Sequence, residues 1–435
     1  MKKIFFAFFL SVFGFFYAQT SRDYAKQVIS TLSSPELSGR GYVDGGMEKA
    51  AEEIVSQFEK IGVQKFNNAY FQTFTYPVNI IESSSLKINN KELRLGSDYL
   101  VGAGSPSLTA NYDNLRIFKT SVIDSLFLSE ENSYLDKEMN RIDGHVVVFP
   151  QADFPENLIS DNSSAQQFYS AIPQMIADGS MKSSIPLIVE LTSAKFIHTI
   201  SPIQTQTVDL FVKNDAVSGK IQNIDVDIKS RFEPVFQAQN VVGFIKGQRS
   251  DSLIVLTAHY DHLGKISDVI FPGANDNASG IALILSLAKI YSKEKPKFDM
   301  VFIAFSGEEA GLKGSQYFVS QPLIDLKKIK FLINFDMVGT GEEGIQVVNG
   351  REFPKQFAKL ETVNYNYQYV KEVKIRGAAC NSDQCPFYEK GVPSFFVYTL
   401  GGSSAYHDIN DTSESPSLYA FNKLTALFVK FINQL

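Results

Sequence analysis

Histidine and carboxylate side chains stand in short groups through the second half of the chain, each directly after an apolar run or a tight loop. The groups are His259-Tyr260-Asp261-His262, Ser306-Gly307-Glu308-Glu309, Asp336 and Tyr406-His407-Asp408. Between the first two lies the polar turn Gly273-Ala274-Asn275-Asp276-Asn277-Ala278-Ser279-Gly280, which adds a further acid. Imidazole and carboxylate together suit zinc, and five such ligands with one carboxylate shared suit two zinc ions better than one. A pair of ions ~3.5–4 Å apart grips a carbonyl oxygen and activates a water at once. In the Glu308-Glu309 pair one carboxylate can bind metal while its neighbour moves protons. Each fragment is weak by itself, because a His-x-Asp or Glu-Glu is usually a solvated turn. The signal is their shared placement.

That placement comes from the elements between them. Leu253–Ala258, Met300–Phe305, Ile329–Phe335 and Ser394–Thr399 are nearly continuous apolar runs of strand length, as expected for central strands covered on both faces. Ala278–Ser292 and Leu418–Leu435 carry helical patterns, and so do Asp23–Leu32 and Gly45–Ile61, the latter closed by Gly62. The alternation predicts an α/β fold with a mixed, mostly parallel central sheet and helices on both faces. Open sheets of this kind bind ligands at the carboxyl ends of their strands, which is where the His and acid groups fall. From about Leu93 to Pro234 the pattern changes to short β-type runs, including Gly144–Phe149, Ile185–Val189 and Ile224–Ile228. An inserted, β-rich apical domain is expected there. His145 and His198 stand apart from other ligand types and read as structural or surface residues.

His259-Tyr260-Asp261, Ala274 to Gly280, Ser306-Gly307-Glu308-Glu309-Ala310-Gly311-Leu312-Lys313-Gly314-Ser315, Asn334-Phe335-Asp336-Met337-Val338-Gly339 and Tyr406-His407 resemble, in order, the motifs of the co-catalytic zinc aminopeptidases of metallopeptidase clan MH. The likeness covers Gln237 to Leu435, and Ser38-Gly39-Arg40-Gly41 through Gly62 also resembles that family's N-terminal loop and helix. It implies a zinc-exopeptidase, phosphorylase/hydrolase-like fold and two Zn2+. Asp276 would bridge the ions, with Glu309 and His407 completing one site and His259 and Asp336 the other. Glu308 would act as general base on a water shared by the ions, and Asp261 would orient His259. The peptide after the bridging Asp is the candidate for a cis bond. His262 is not used as a ligand in the family pattern and reads as a rim or supporting residue. Relatives commonly have His where this chain has Gln384. Asp143 to Pro150, with the later helix and strand of the insertion, resembles a protease-associated domain.

The implied activity is a zinc-dependent aminopeptidase acting on peptides with a free N-terminus. The alternatives on the same fold are glutaminyl cyclase-like or carboxypeptidase/dipeptidase activity and a non-catalytic ectodomain. A carboxypeptidase would need a cation near the scissile bond, and Arg376 is the nearest Arg in sequence to the Cys380 loop, although a surface Arg is the plainer reading. The pocket walls are expected from Phe387, Tyr398 and the Gly401 to Tyr406 loop, Tyr406 included.

Composition sets the remaining bounds. With 41 Lys and Arg against 47 Asp and Glu, the net charge is −6, so no basic excess invites nucleic acid. Met1-Lys2-Lys3, the apolar stretch Ile4–Phe16 and Tyr17-Ala18 before Gln19 read as a secretory signal, and no later run approaches a membrane span. The expected organisation is a signal at 1–18, the start of the peptidase domain at 19–91, the insertion at 92–235 and the zinc peptidase domain at 236–435. A secreted or periplasmic protein without stable membrane insertion is expected. In that compartment Cys380 and Cys385, the only two cysteines, are expected to form a short-range disulfide.

Overall fold

A computed structural model describes residues 21–113, 115–117, 146–149 and 185–435. The expected signal segment, His145 and most of the stretch likened to a protease-associated domain lie outside the described residues. The chain divides into two units. One comprises the chain up to Tyr76, Gln237–Gly264 and Ile270–Leu435; the other comprises Pro77–Phe236 and Lys265–Val269. The second unit thus begins earlier than the change of pattern at 92, because the strand Phe71–Ile88 runs unbroken across the change of unit.

The large sheet includes β1 (Phe71–Ile88), β2 (Ile224–Ile245), β3 (Arg249–His259), β4 (Phe298–Phe305), β5 (Ile329–Phe335), β6 (Gly344–Val348), β7 (Val373–Ile375) and β8 (Ser394–Leu400), of which β3 to β8 lie wholly in the first unit. Their order across the sheet is β7-β6-β8-β5-β3-β4-β2-β1. From β8 to β4 all neighbours are parallel, whereas β6 runs antiparallel to β8 and β2 antiparallel to β4. The mixed, mostly parallel sheet read from the apolar runs is therefore present. Strand β2 runs on through Pro234, which marks the end of the changed pattern in the sequence, and joins the paired stretches 224–228 and 241–245.

The helices are α1 (residues 21–32), α2 (Gly46–Ile61), α3 (Ser279–Tyr291), α4 (Lys313–Ser320), α5 (Pro354–Tyr367), α6 (Gln384–Glu389) and α7 (Phe421–Ile432). Helix α3 is buried almost all round, packing on the sheet and against α2 and α7, which explains its unbroken Ile-Ala-Leu-Ile-Leu run. Helices α4 and α6 pack together, and Phe318 and Phe387 from them join Phe305, Val255 and Ile303 of the strands in one apolar cluster. Helix α7 starts later than its apolar pattern, since Leu418 takes a left-handed backbone (φ 51) that cannot continue a helix. Among the described residues no helix is long and apolar enough to cross a membrane.

The second unit contains a five-stranded sheet in the order Tyr99–Val101, Val208–Lys213, Leu187–Thr192, Val146–Phe149 and Leu115–Ile117, parallel except at its first pair. Asp209 is buried on one strand and Glu190 lies on the next, and burial raises both carboxyls, Glu190 to about 7.

Candidate metal centre

Strand β3 is the switch point of the sheet: the chain leaves it to form β4 on one side, then crosses back to form β5 on the other. Loops at its carboxyl end therefore diverge, leaving a crevice that its own last residue faces. That residue is His259. Its register partner on β4 is Phe305, so Ser306 to Glu309 leave from the same edge, and Asp336 follows β5 directly.

Asp276 occupies the middle of the group. Its Oδ1 is 3.3 Å from His259 Nε2, and its Oδ2 is 3.2 Å from His407 Nε2. Asp336 Oδ1 lies 3.3 Å from His259 Nε2, and Glu309 Oε2 lies 3.1 Å from His407 Nε2. One carboxylate thus faces two half-sites, His259 with Asp336 and His407 with Glu309. His259, Asp276 and Asp336 offer ligand atoms within 4.8 Å of one another, as do His259, Glu308 and Glu309. The Asp276-Asn277 peptide is cis.

Side chains of the polar turn fix Asp276 to the end of β5. Asn277 donates from Nδ2 to the Phe335 carbonyl and accepts from Gly280 and Met337 N–H, while Ser279 and Asn275 accept from Val338 and Gly339 N–H. Gly280 is needed here because a Cβ would stand 2.4 Å from Asn277 Oδ1 and 2.5 Å from the Phe335 carbonyl oxygen.

Asp261 is buried, and its two oxygens accept from the Glu308 and Glu309 N–H groups at 3.2 Å each. Its carboxylate is 3.7 Å from His259 Nδ1, which instead faces the Asp261 main-chain oxygen at 3.2 Å. Asp261 therefore holds the Glu308-Glu309 turn more directly than it holds the imidazole. His262 is fully buried rather than at the rim, with Nδ1 2.8 Å from Glu309 Oε1.

Three supporting residues had no individual signal in the sequence. Ser382 donates to Asp336 Oδ2 at 2.9 Å and accepts from Asn334 Nδ2, which is held in turn by Thr257. Asp411 accepts from the Asn275 and Asp276 N–H groups at 2.9–3.0 Å. Its only trace in the sequence is its position four residues past His407. Arg40 is fully buried beneath the group and donates to main-chain carbonyls alone; burial lowers its guanidinium to about 10 against the pull of Asp276, Asp411, Asp261 and Glu309. Its only trace was membership of the Ser38-Gly39-Arg40-Gly41 motif.

The electrostatics describe a group of acids that calls for cations. Burial alone would lower His407, but Glu309 and Asp276 outweigh it and raise the imidazole to about 11. Burial likewise opposes protonation of His259, and Asp336, Glu308, Asp261 and Asp276 overcome it. Glu308 is raised well above the usual carboxylate range by burial and by Glu309, Asp336 and Asp383, with His259 opposing; burial also pushes Asp383 up to about 7. Protons on imidazoles facing carboxylates occupy the places where a divalent cation competes, so the donor set fits zinc. Cys380, Cys385 and Glu389 also lie close together, but the two sulfurs are bonded to each other and hold no metal.

The pocket residues fare differently. Phe387 has no exposed surface and sits between Phe305 and Phe318, so it is core, not pocket wall. Tyr398 is half-buried, its hydroxyl accepting at 3.5 Å from Arg376, which is an exposed residue. Tyr406 is 41% exposed and stacks on the His407 ring at 3.9 Å, placing an aromatic face beside the ligands.

Residues 240–432 match the family model described as "Peptidase family M28". Over these residues the chain is similar to that family. Among curated relatives, a probable zinc metalloprotease of Leptosphaeria maculans is 28% identical over 196 residues, covering 40% of this chain and 45% of the relative. Aminopeptidase YwaD of Bacillus subtilis is 29% identical, covering 36% and 34%, and a probable leucine aminopeptidase of Arthroderma otae is 32% identical, covering 45% and 56%. The chain thus spans about half or less of these relatives' lengths. The fold is similar over nearly the whole chain to a zinc aminopeptidase from Bacillus subtilis (TM-score 0.67, 18% identity, 95% of both chains). It is likewise similar to a peptidase M28 precursor from Shewanella amazonensis (TM-score 0.68, 15% identity, 96% and 95%).

Proposed function

We propose that this chain is a peptidase of family M28, an exported zinc aminopeptidase that removes N-terminal residues from peptides. The observation that carries the reading is the single carboxylate of Asp276, one oxygen on His259, which also meets Asp336, and the other on His407, which also meets Glu309. These five residues would hold two zinc ions, which when bound supply the Lewis acidity that polarises a scissile carbonyl and acidifies water.

The remaining chemistry belongs to side chains of the chain. Glu308 adjoins the ligand Glu309 but is not needed by either half-site, and burial holds its carboxyl well above the usual carboxylate range, which makes it a readier proton acceptor than an exposed carboxylate. It would accept the proton of the attacking water and pass it to the departing amine. Asp261, by holding the Glu308 and Glu309 N–H groups, keeps base and ligand in fixed relation. Tyr406 offers an aromatic wall for an apolar first side chain. Export is supported by the signal pattern at 1–18 and by the Cys380–Cys385 disulfide, a bond favoured outside the cytoplasm.

The test is a panel of chromogenic aminoacyl anilides with matched N-acetylated controls, before and after chelation and zinc return. Release from free-amine substrates alone, abolished by chelator and restored by zinc, is expected. No release from any free-amine substrate by zinc-loaded protein refutes the proposal and brings the cyclase and carboxypeptidase alternatives forward.

A further inference from the structure

Arg40 is the only Lys or Arg that is buried among the described residues. A guanidinium has five N–H donors in a rigid fork, and each of the five here has a main-chain acceptor. Nε donates to Tyr260 O at 2.7 Å; one terminal nitrogen to Leu32 O at 2.8 Å and Pro272 O at 2.7 Å; the other to Gly273 O at 2.7 Å and Asp276 O at 3.2 Å. These carbonyls come from three separate places: the end of α1, the His259–His262 segment, and the turn that carries Asp276. The main chain around Arg40 is itself closely seated. His262 N–H donates to Arg40 O at 3.2 Å, Arg40 has φ 50, and a Cβ on Gly39 would stand 2.2 Å from Gly264 O.

We propose that Arg40 is a positioning residue for the metal centre: by spanning Tyr260 and Asp276 from below, it sets the spacing between His259 and the carboxylate that faces both half-sites. This rests on the zinc reading above. A loop-to-loop distance fixed by one planar fork is the kind of support that tunes ligand geometry without touching the metal. A lysine at this place keeps the charge but has three donors for five carbonyls, so at least two are left unpaired and the two segments are no longer tied rigidly.

The test is zinc titration by calorimetry into chelator-stripped full-length protein, wild type against Arg40→Lys, well below the unfolding temperature of both. The expected result is a folded variant that binds zinc at least tenfold more weakly than wild type. A purely structural role would lower the unfolding temperature and leave the affinity of the folded protein unchanged. Equal or tighter binding by folded Arg40→Lys overturns the inference. If wild type itself binds no zinc, the zinc reading fails instead, so the two failures are distinguishable. Should Arg40→Lys not fold, Arg40→Ala is refolded with ethylguanidinium or with equal ethylammonium. Zinc binding restored by ethylguanidinium alone supports the inference, and any other result overturns it.

Discussion

Ser382→Ala isolates one link in the support of the metal centre. The hydroxyl is buried, donates to Asp336 Oδ2 at 2.9 Å and accepts from Asn334 Nδ2 at 2.8 Å, and Asn334 Oδ1 accepts from Thr257 at 2.7 Å. Alanine removes one oxygen and adds nothing, so the change is a loss of hydrogen bonds without overpacking. A hydrogen bond to a charged group contributes about 1.5–3 kcal/mol, and the Asn334 donor left without a partner costs about 1–3 kcal/mol more. The second loss falls on the fold and should lower the unfolding free energy of zinc-free protein by about 1–3 kcal/mol. The first falls on Asp336, whose freed carboxylate must be reoriented whenever it binds metal. Since about 1.4 kcal/mol is a factor of ten, zinc affinity at the His259 and Asp336 half-site should fall about 10–100-fold. The His407 and Glu309 half-site has no bond to Ser382 and should be unchanged. Calorimetric zinc titration of stripped protein resolves the two steps. Equal loss in both steps, or no loss in either, would refute the reasoning that Ser382 acts through Asp336.

Further outcomes rest on the same geometry. Glu308→Gln, which keeps the shape and removes the proton acceptor, should lower kcat on an aminoacyl anilide by about 10²–10⁴-fold while zinc content by elemental analysis stays at the wild-type level; loss of zinc would mean that Glu308 is a ligand. Phe387→Ala, in the fully buried ring cluster, should cost about 3–5 kcal/mol in denaturant unfolding and leave KM alone, whereas Tyr406→Ala should raise KM for large apolar first residues with little change in stability. In the second unit, Glu190 and Asp209 hold protons more tightly when folded than when unfolded. Stability there should therefore be highest at acid pH and fall as pH rises from the ordinary carboxylate value of 4.5 through about 7. The Glu190 contribution is about 3 kcal/mol. Hydrogen exchange of strand Leu187–Thr192 should show greater protection at about pH 5.5 than at about pH 8, and the reverse order would contradict the sign.

What could be read from the sequence divides along a physical line. Residues that offer their own side-chain chemistry were visible, because His259, Asp276, Glu309, Asp336 and His407 are ligand types placed where strands or tight turns end. Arg40 and Asp411 were not, because their partners are peptide carbonyls and N–H groups that every sequence contains and only a folded chain brings near. Ser382 was hidden likewise, as a serine in a loop has many uses. Phe387 is core and not pocket wall for a related reason: an aromatic ring suits either place, and it is α6 that packs it into the apolar cluster with Phe305 and Phe318. His262 was underrated because its role depends on Glu309, which is 47 residues away. The central sheet was legible from unbroken apolar runs, whereas the long strand β2 was not, since its pattern changes where its pairing partners change.

The family match begins at residue 240, and every proposed ligand lies within it. Arg40 lies two hundred residues upstream, on the far side of the second unit in chain order. A fragment cut to the matched boundaries would carry all five metal-facing side chains and still lack the clasp beneath them. Conversely, a nascent chain emerging from its N-terminus presents the clasp long before there is anything to fasten, so the ligand cluster can be tied together only after the last of its residues, His407, has been made.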